Sequence, residues 1–288
     1  MKLLPLALLL LAGPACAQAP AKFNLATYNI RLPHSSDDQR GDSTVLRMPI
    51  VADLAQYHGF DIFGTQEGHS WQLDTICAHI PGFSYIGVGR DDGAKGGEHS
   101  AILYNSELFD VVDHGDFWLS ETPEKVSMGW DAACVRICTW GHFRHKPSGK
   151  EFLYFNLHMD HIGTTARVES AKLIKRKIDS LGTQLPTFLS GDFNVDQFSP
   201  SYATVLEGGT LVDSHDVADI VYELNGTFNN FNPSGYSNER IDHIFVSPGV
   251  KVYRYGILTD TYRTVEADGS IRARTPSDHF PVAITVGL

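Results

Sequence analysis

Cysteine is scarce in this chain, four residues in 288, and the scarcity excludes two ways of building a fold. With so few thiols, and no CxxC or His/Cys pattern of zinc spacing, neither a disulfide scaffold nor a structural zinc site organises it. Long apolar runs are also lacking beyond the first residues. The opening stretch MKLLPLALLLLAGPACA sets Lys2 before an apolar run from Leu3 to Ala12 and a small-residue site at Ala15-Cys16-Ala17. It reads as a signal peptide over residues 1–17, with an apolar core too short to span a bilayer. The mature chain, 18–288, is then expected to be a secreted or periplasmic monomer with no membrane span, forming one catalytic domain.

Positive charge is short as well. The chain has 23 Lys and Arg against 34 Asp and Glu, a net charge of −11. Loss of Lys2 with the leader leaves 22 against 34, or −12. That balance, without a basic stripe, argues against long-range attraction to nucleic acid or anionic membranes. Cleavage leaves Cys77, Cys134 and Cys138, and an odd count means at least one free thiol. Cys134 and Cys138 lie in ACVRICTW, which alternates like a strand, so their Cα atoms fall ~13 Å apart, too far to bridge.

No repeat, low-complexity segment or linker divides the chain. Short runs rich in Val, Ile, Phe and Tyr recur from Phe23–Ile30 to Phe280–Val286, bounded by Gly, Pro, Asn and Asp. Helical spacing is found in Thr44–Tyr57, where Val45, Met48, Val51 and Leu54 recur, in Ser70–Ile80, and in Thr164–Leu181. From residue 83 to 157 several β stretches follow one another with no helix between them. A simple parallel doubly wound sheet is therefore disfavoured, and two mixed sheets packed face to face with helices outside fit better.

The informative residues stand where apolar strands end. Asn29 closes the first and Glu67 the second. His158, Asp160 and His161 follow one middle strand, and Asp192 and Asn194 another. Asp242-His243 opens a late strand, and Asp278-His279 the last. Singly, each has an ordinary explanation as a turn former or helix cap. Six such sites in one chain suggest a converging set of oxygen and imidazole donors.

The blocks YNIR, TQE, NLHMDH, SGDFN, RIDHIFVS and PSDHFPV resemble the endonuclease/exonuclease/phosphatase superfamily over nearly all of residues 22–288. The resemblance implies a four-layered α/β sandwich of two mixed β-sheets flanked by helices, and divalent-metal-dependent hydrolysis of a phosphoester. It implies Glu67 as principal ligand of Mg²⁺ or Mn²⁺, with Asn29 beside it and Asp278 completing the site. It further implies Asp192 as the group that orients and deprotonates water, and His279, held by Asp242, as a phosphate contact. Asn194, on the same face as Asp192 if the segment is extended, is expected to donate to a phosphoryl oxygen. His158 is expected at the phosphate or the leaving group.

Arg136, His161, Asp160 and His99 are further candidates for substrate binding, although His99 also fits a solvated loop. Gly93–Gly97 lacks phosphate-loop spacing and suggests a mobile loop. The expected substrate is a small or glycan- or lipid-linked phosphoester, with a nuclease as the alternative. Residues 156–161 also resemble the H-x-H-x-D-H motif of zinc hydrolases, with Asn156 in place of the first His; the other five blocks have no place in that scheme. A non-catalytic binding module would be expected to have lost a ligand or the base, and here all are present.

Overall fold

The computed structural model describes residues 21–182 and 184–288; the expected leader at 1–17 lies outside them. From the N-terminal side run β1 (Lys22–Asn29), α1 (Ser35–Arg40), α2 (Thr44–Tyr57), β2 (Ile62–Gln66), α3 (Ser70–His79), β3 (Phe83–Ile86) and β4 (Ile102–Asn105). Next come β5 (Phe109–Trp118), β6 (Ile137–His145), β7 (Lys150–His158), α4 (Thr164–Ser180), β8 (Thr187–Asp192) and α5 (Pro200–Leu206). The last third holds β9 (Val212–Asp213), α6 (Ser214–Val217), β10 (Ala218–Tyr222), β11 (Asp242–Val246) and β12 (Lys251–Ile257). It ends with β13 (Tyr262–Val265), β14 (Ile271–Arg274) and β15 (Val282–Gly287).

The strands form a seven-stranded sheet, β10-β12-β15-β1-β2-β4-β3, a six-stranded sheet, β5-β6-β7-β8-β11-β9, and a separate β13-β14 hairpin. Both large sheets are mixed: β1 and β2 run parallel while β15 is antiparallel to β1, and β7 and β8 run parallel while β11 is antiparallel to β8. A buried cluster containing Phe23, Leu25, Phe143, Phe152, Phe188, Ile244 and Ile284 lies between the sheets. Met48, Val51 and Leu54 of α2 and Leu73 and Ile76 of α3 cover the outer face of the first sheet. Ala171 and Ile174 of α4 and Tyr202 and Val205 of α5 cover the second. Helix, sheet, sheet and helix make the four layers expected, and β7 and β8, buried on both faces, read as near-continuous apolar runs for that reason.

A polar tie crosses this core. Tyr154 Oη donates to Ala26 O at 2.9 Å, and Gly64 N–H donates to Tyr154 Oη at 2.8 Å. Asn156 Nδ2 donates to Thr65 O and Ala101 O, and Gln66 Nε2 donates to Asn156 Oδ1 at 2.8 Å. These bonds fix β2 of one sheet against β7 of the other, just behind the strand ends. They satisfy polar groups that would otherwise be costly to bury.

Some expectations are corrected. Val45 is exposed, while α2 buries Met48, Val51, Leu54 and Ala55 as expected, with Ala52. The alternation read through Cys134 and Arg136 is not strand, because β6 starts only at Ile137. Cys77, Cys134 and Cys138 are all free thiols. Among the described residues no helix is long and apolar enough to cross a membrane.

Candidate active site

Sheet registry brings the polar strand ends to one edge. Asn29 pairs with Gln66 across β1 and β2, so Glu67 follows directly beside it. His158 pairs with Asp192 across β7 and β8, and Asp242 pairs with Asp192 from the other side. Just before β15, the segment holding Asp278 and His279 is tied to the end of β1 by Ser277 Oγ, which donates to Asn29 O at 2.7 Å. The buried Arg47 guanidinium donates to Ile30 O and Pro276 O, each at 3.0 Å, and fastens the same junction.

Four residues lining the cavity take left-handed backbone without being glycine: Arg31 (φ 61°), Glu67 (φ 65°), Asn194 (φ 52°) and Asn230 (φ 51°). Such conformations cost about 1–3 kcal/mol each and persist where the surroundings over-determine them. Here the bend aims functional side chains past the strand ends. It also corrects the expected role of Asn194: the segment is not extended, and Asn194 N–H turns back onto Asp192 Oδ1 at 2.9 Å.

Asn29 Nδ2 donates to Glu67 Oε1 and to Asp192 Oδ2, both at 3.0 Å, while Glu67 Oε2 accepts from Leu32 N–H. Arg31 Nη1 lies 3.5 Å from Asp278 Oδ2 and 4.0 Å from Glu67 Oε2. His279 Nδ1 donates to Asp242 Oδ2 at 2.8 Å, leaving Nε2 3.7 Å from Asp192 Oδ2. Burial opposes charge on His279, but Asp242 and Asp192 outweigh it and hold its pKa well above the usual value, so the ring is a cation at neutral pH.

His158 is set the opposite way. Asn194 Nδ2 meets both Met159 O (2.9 Å) and His158 Nε2 (3.0 Å). A carbonyl can only accept, so the nitrogen of the amide is the atom placed there, and His158 Nε2 must accept the second N–H. Burial, with Arg136 and Arg90 nearby, drives the pKa of His158 well below its usual value. The ring is therefore neutral, with its proton on Nδ1. Asn194, expected to donate to a phosphoryl oxygen, spends both amide protons within the protein.

A cavity of about 590 Å³ opens over these groups, lined among others by Arg31, Glu67, His158, Asp192, Asn194, Asp278 and His279, and by Arg136 and His161 on a second wall. Arg136 Nη2 donates to His161 Nδ1 at 3.0 Å. Four sequence candidates do not line it: Asn29 and Asp242 lie behind it, bonded to Asp192 and His279, and Asp160 and His99 are engaged elsewhere. Asp160 is buried and receives the N–H groups of Ala133, Cys134, Ile162 and Gly163; these outweigh its burial and hold its pKa low. His99 is not on a solvated loop: it is buried, bonded through N–H and Nδ1 to Gly68 O. That anchor, with the Gly89, Arg90 and Asp91 N–H bonds to Ala94, Glu98 and Gly96 carbonyls, closes the glycine-rich loop expected to be mobile.

A hard divalent cation fits the Glu67 side of the cavity. The donors there are the carboxylate oxygens of Glu67 and Asp278, which such ions prefer; Asn29 turns its amide nitrogen to Glu67, and its Oδ1 accepts from Arg31 N–H. Burial, with the charge of Glu67 beside it, raises the pKa of Asp278, a like-charge strain that a cation would relieve. Asp192, Asp242 and His279 also offer ligand atoms within 4.8 Å of one another, but a protonated His279 already supplies the positive charge between those carboxylates. Asp242 Oδ1 is buried without a hydrogen bond. The zinc-hydrolase motif read over residues 156–161 is not assembled, because Asn156 is consumed in the core tie and Asp160 accepts from backbone N–H groups; Cys134, Asp160 and His161 do place ligand atoms within 4.8 Å of one another.

Sequence reasoning missed Arg31, Arg40, Arg90 and Glu98, which also line the cavity. Arg31 stood inside the YNIR block; Glu98 and Arg90 flank a loop whose closure no local pattern announced.

The model for the endonuclease/exonuclease/phosphatase family matches residues 26–279. No curated protein matches the chain. A crystal structure of an endonuclease/exonuclease/phosphatase family protein from Bacteroides thetaiotaomicron is similar, with 55% identity, 93% of this chain and 98% of that one covered, and a TM-score of 0.92. The structure of a mannosyl-6-phosphatase from Bacteroides thetaiotaomicron VPI-5482 shares 56% identity over 92% of this chain and 99% of that one, with a TM-score of 0.90. A family protein from Bacteroides vulgatus shares 35% over 93% and 99%, with a TM-score of 0.84. With the converged strand ends, the layered sandwich and these likenesses, the chain belongs to the endonuclease/exonuclease/phosphatase family.

Proposed function

We propose that this protein is an exported, divalent-metal-dependent phosphatase that removes phosphate from a sugar phosphate, with a 6-phosphorylated mannose the first candidate. The observation that carries the reading is the position of Asp192. Its Oδ2 faces Asn29 Nδ2 at 3.0 Å, His158 Nε2 at 3.5 Å and His279 Nε2 at 3.7 Å. One buried carboxylate thus stands between the oxygen-donor site, a neutral imidazole and a cationic one. The 56% identity to a mannosyl-6-phosphatase supports the substrate class, as does a cavity of about 590 Å³, a size suited to a small molecule.

Glu67 and Asp278 would hold the cation, with Asn29 orienting Glu67; the cation when bound supplies Lewis-acid charge to the phosphoryl oxygens. Burial and the neighbouring Asp242 raise the proton affinity of Asp192, which suits it to take a proton from a water lying in line with the ester bond. His279, charged and fixed by Asp242, presents Nε2–H to a phosphoryl oxygen and balances its developing charge. Arg31 and Arg136 flank the cavity and add the positive field that a dianionic monoester requires.

The test is release of inorganic phosphate from mannose 6-phosphate with Mg²⁺, beside bis-p-nitrophenyl phosphate and plasmid DNA. Turnover of the monoester at least tenfold above the diester supports the reading. Cleavage of DNA with no phosphate release from the sugar would replace it with a nuclease.

A further inference from the structure

One charged pair in the cavity reaches the phosphoryl-binding groups only through His158. Glu98 and Arg90 meet in a two-pronged ion pair, Arg90 Nη1 to Glu98 Oε2 at 2.7 Å and Nη2 to Oε1 at 2.6 Å. Their side chains are only 13% and 16% exposed, and both line the cavity. A bare carboxylate here would repel a phosphate dianion. Matched by a guanidinium, it presents a neutral face that both accepts and donates hydrogen bonds, because each carboxylate oxygen carries lone pairs beyond the one it gives to arginine.

The pair is rigidly placed. Arg90 N–H donates to Glu98 O at 3.0 Å, and Trp118 Nε1 donates to Arg90 O at 2.8 Å. The next residue, His99, bonds the strand to Gly68 O beside Glu67. The wall is therefore fixed relative to the cation ligand. Its distance from the reacting centre is set by His158: Nδ1 lies 3.8 Å from Glu98 Oε2, and Nε2 lies 3.5 Å from Asp192 Oδ2. The pair stands one imidazole beyond the base, where the body of a hexose would extend from its 6-phosphate.

We infer that the Arg90–Glu98 pair is the sugar-reading element of this site, accepting from and donating to adjacent hydroxyls of a hexose 6-phosphate. The inference rests on the sugar-phosphatase reading above. A pair that is buried and committed to hydroxyls penalises substrates that lack them, since its own polar atoms are then left unmatched.

The experiment compares wild type with Glu98→Gln on mannose 6-phosphate and on p-nitrophenyl phosphate, which has no hydroxyl group. The expected result is that the ratio of kcat/KM on the sugar to that on the aryl ester falls about 30-fold in the variant, the scale of a lost charged hydrogen bond. A ratio unchanged within threefold would overturn the inference, whether both activities hold or both fall. If Glu98→Gln does not fold, wild type supplies the measurement. Deoxygenating C2 or C3 of the hexose phosphate should cost about tenfold or more in kcat/KM, and no loss at any ring position would overturn it. Wild type that hydrolyses the aryl ester but no hexose phosphate would instead defeat the sugar-phosphatase reading, and this inference with it.

Discussion

Asn29 and Asp192 lie 163 positions apart in the chain and 3.0 Å apart at Nδ2 and Oδ2. The contact joins the end of β1 in one sheet to the end of β8 in the other, and the same amide nitrogen also holds Glu67 Oε1. A group that binds both carboxylates keeps them near each other despite their charge. Replacing Asn29 with Ala should lower kcat about 10²-fold and raise the Mg²⁺ concentration needed for half-maximal rate. Steady-state phosphate release against Mg²⁺ concentration checks both; an unchanged metal requirement would remove Asn29 from the cation site.

The His279–Asp242 bond leads to a pH prediction. Burial lowers the pKa of His279, while Asp242 and then Asp192 raise it further than burial lowers it. The active form is protonated, so activity is present below the raised pKa and lost as pH climbs through it. Asp242→Asn removes the largest raising influence. The alkaline limb of the kcat/KM profile should shift to lower pH, with a fall of about 10²-fold near neutrality. A limb that stays in place would show that another group titrates there.

Gly64 tests the tie between the sheets. A Cβ at this position would come within 2.2 Å of Asn156 Oδ1 and 2.4 Å of its Cγ, inside a packed core. Gly64→Ala should destabilise by about 1–3 kcal/mol, as overpacking does, readable in a urea midpoint. Because Asn156 bonds Thr65 O, two residues before Glu67, activity in the folded variant should also drop.

Much of this was legible in the sequence because strand ends punctuate it. α2 spans Thr44–Tyr57 as its spacing suggests, and the run of β stretches between 83 and 157 excluded a simple parallel sheet. Asn29, Glu67, Asp192, Asp242 and His279 carried their chemistry in short blocks, and the fold brings all five together. What was not legible depends on contacts between distant segments. Asp160 and His161 are neighbours, yet the first is absorbed by four backbone N–H groups while the second faces the cavity. The left-handed turn at Asn194 redirects its amide to His158, which an extended backbone would not. The Arg90–Glu98 wall depends on a loop closed by its own backbone bonds and pinned back by His99, and no periodicity reports such a closure.

The most direct measurement of the central claim is phosphate release from mannose 6-phosphate by wild type and Asp192→Asn, each with Mg²⁺ and after chelation. The account predicts that the substitution lowers kcat by about 10³-fold or more while the melting temperature holds or rises, since a buried charge is removed. It also predicts that chelation silences wild type and that Mg²⁺ restores it. An Asp192→Asn enzyme within tenfold of wild type, or full activity after chelation, would contradict it.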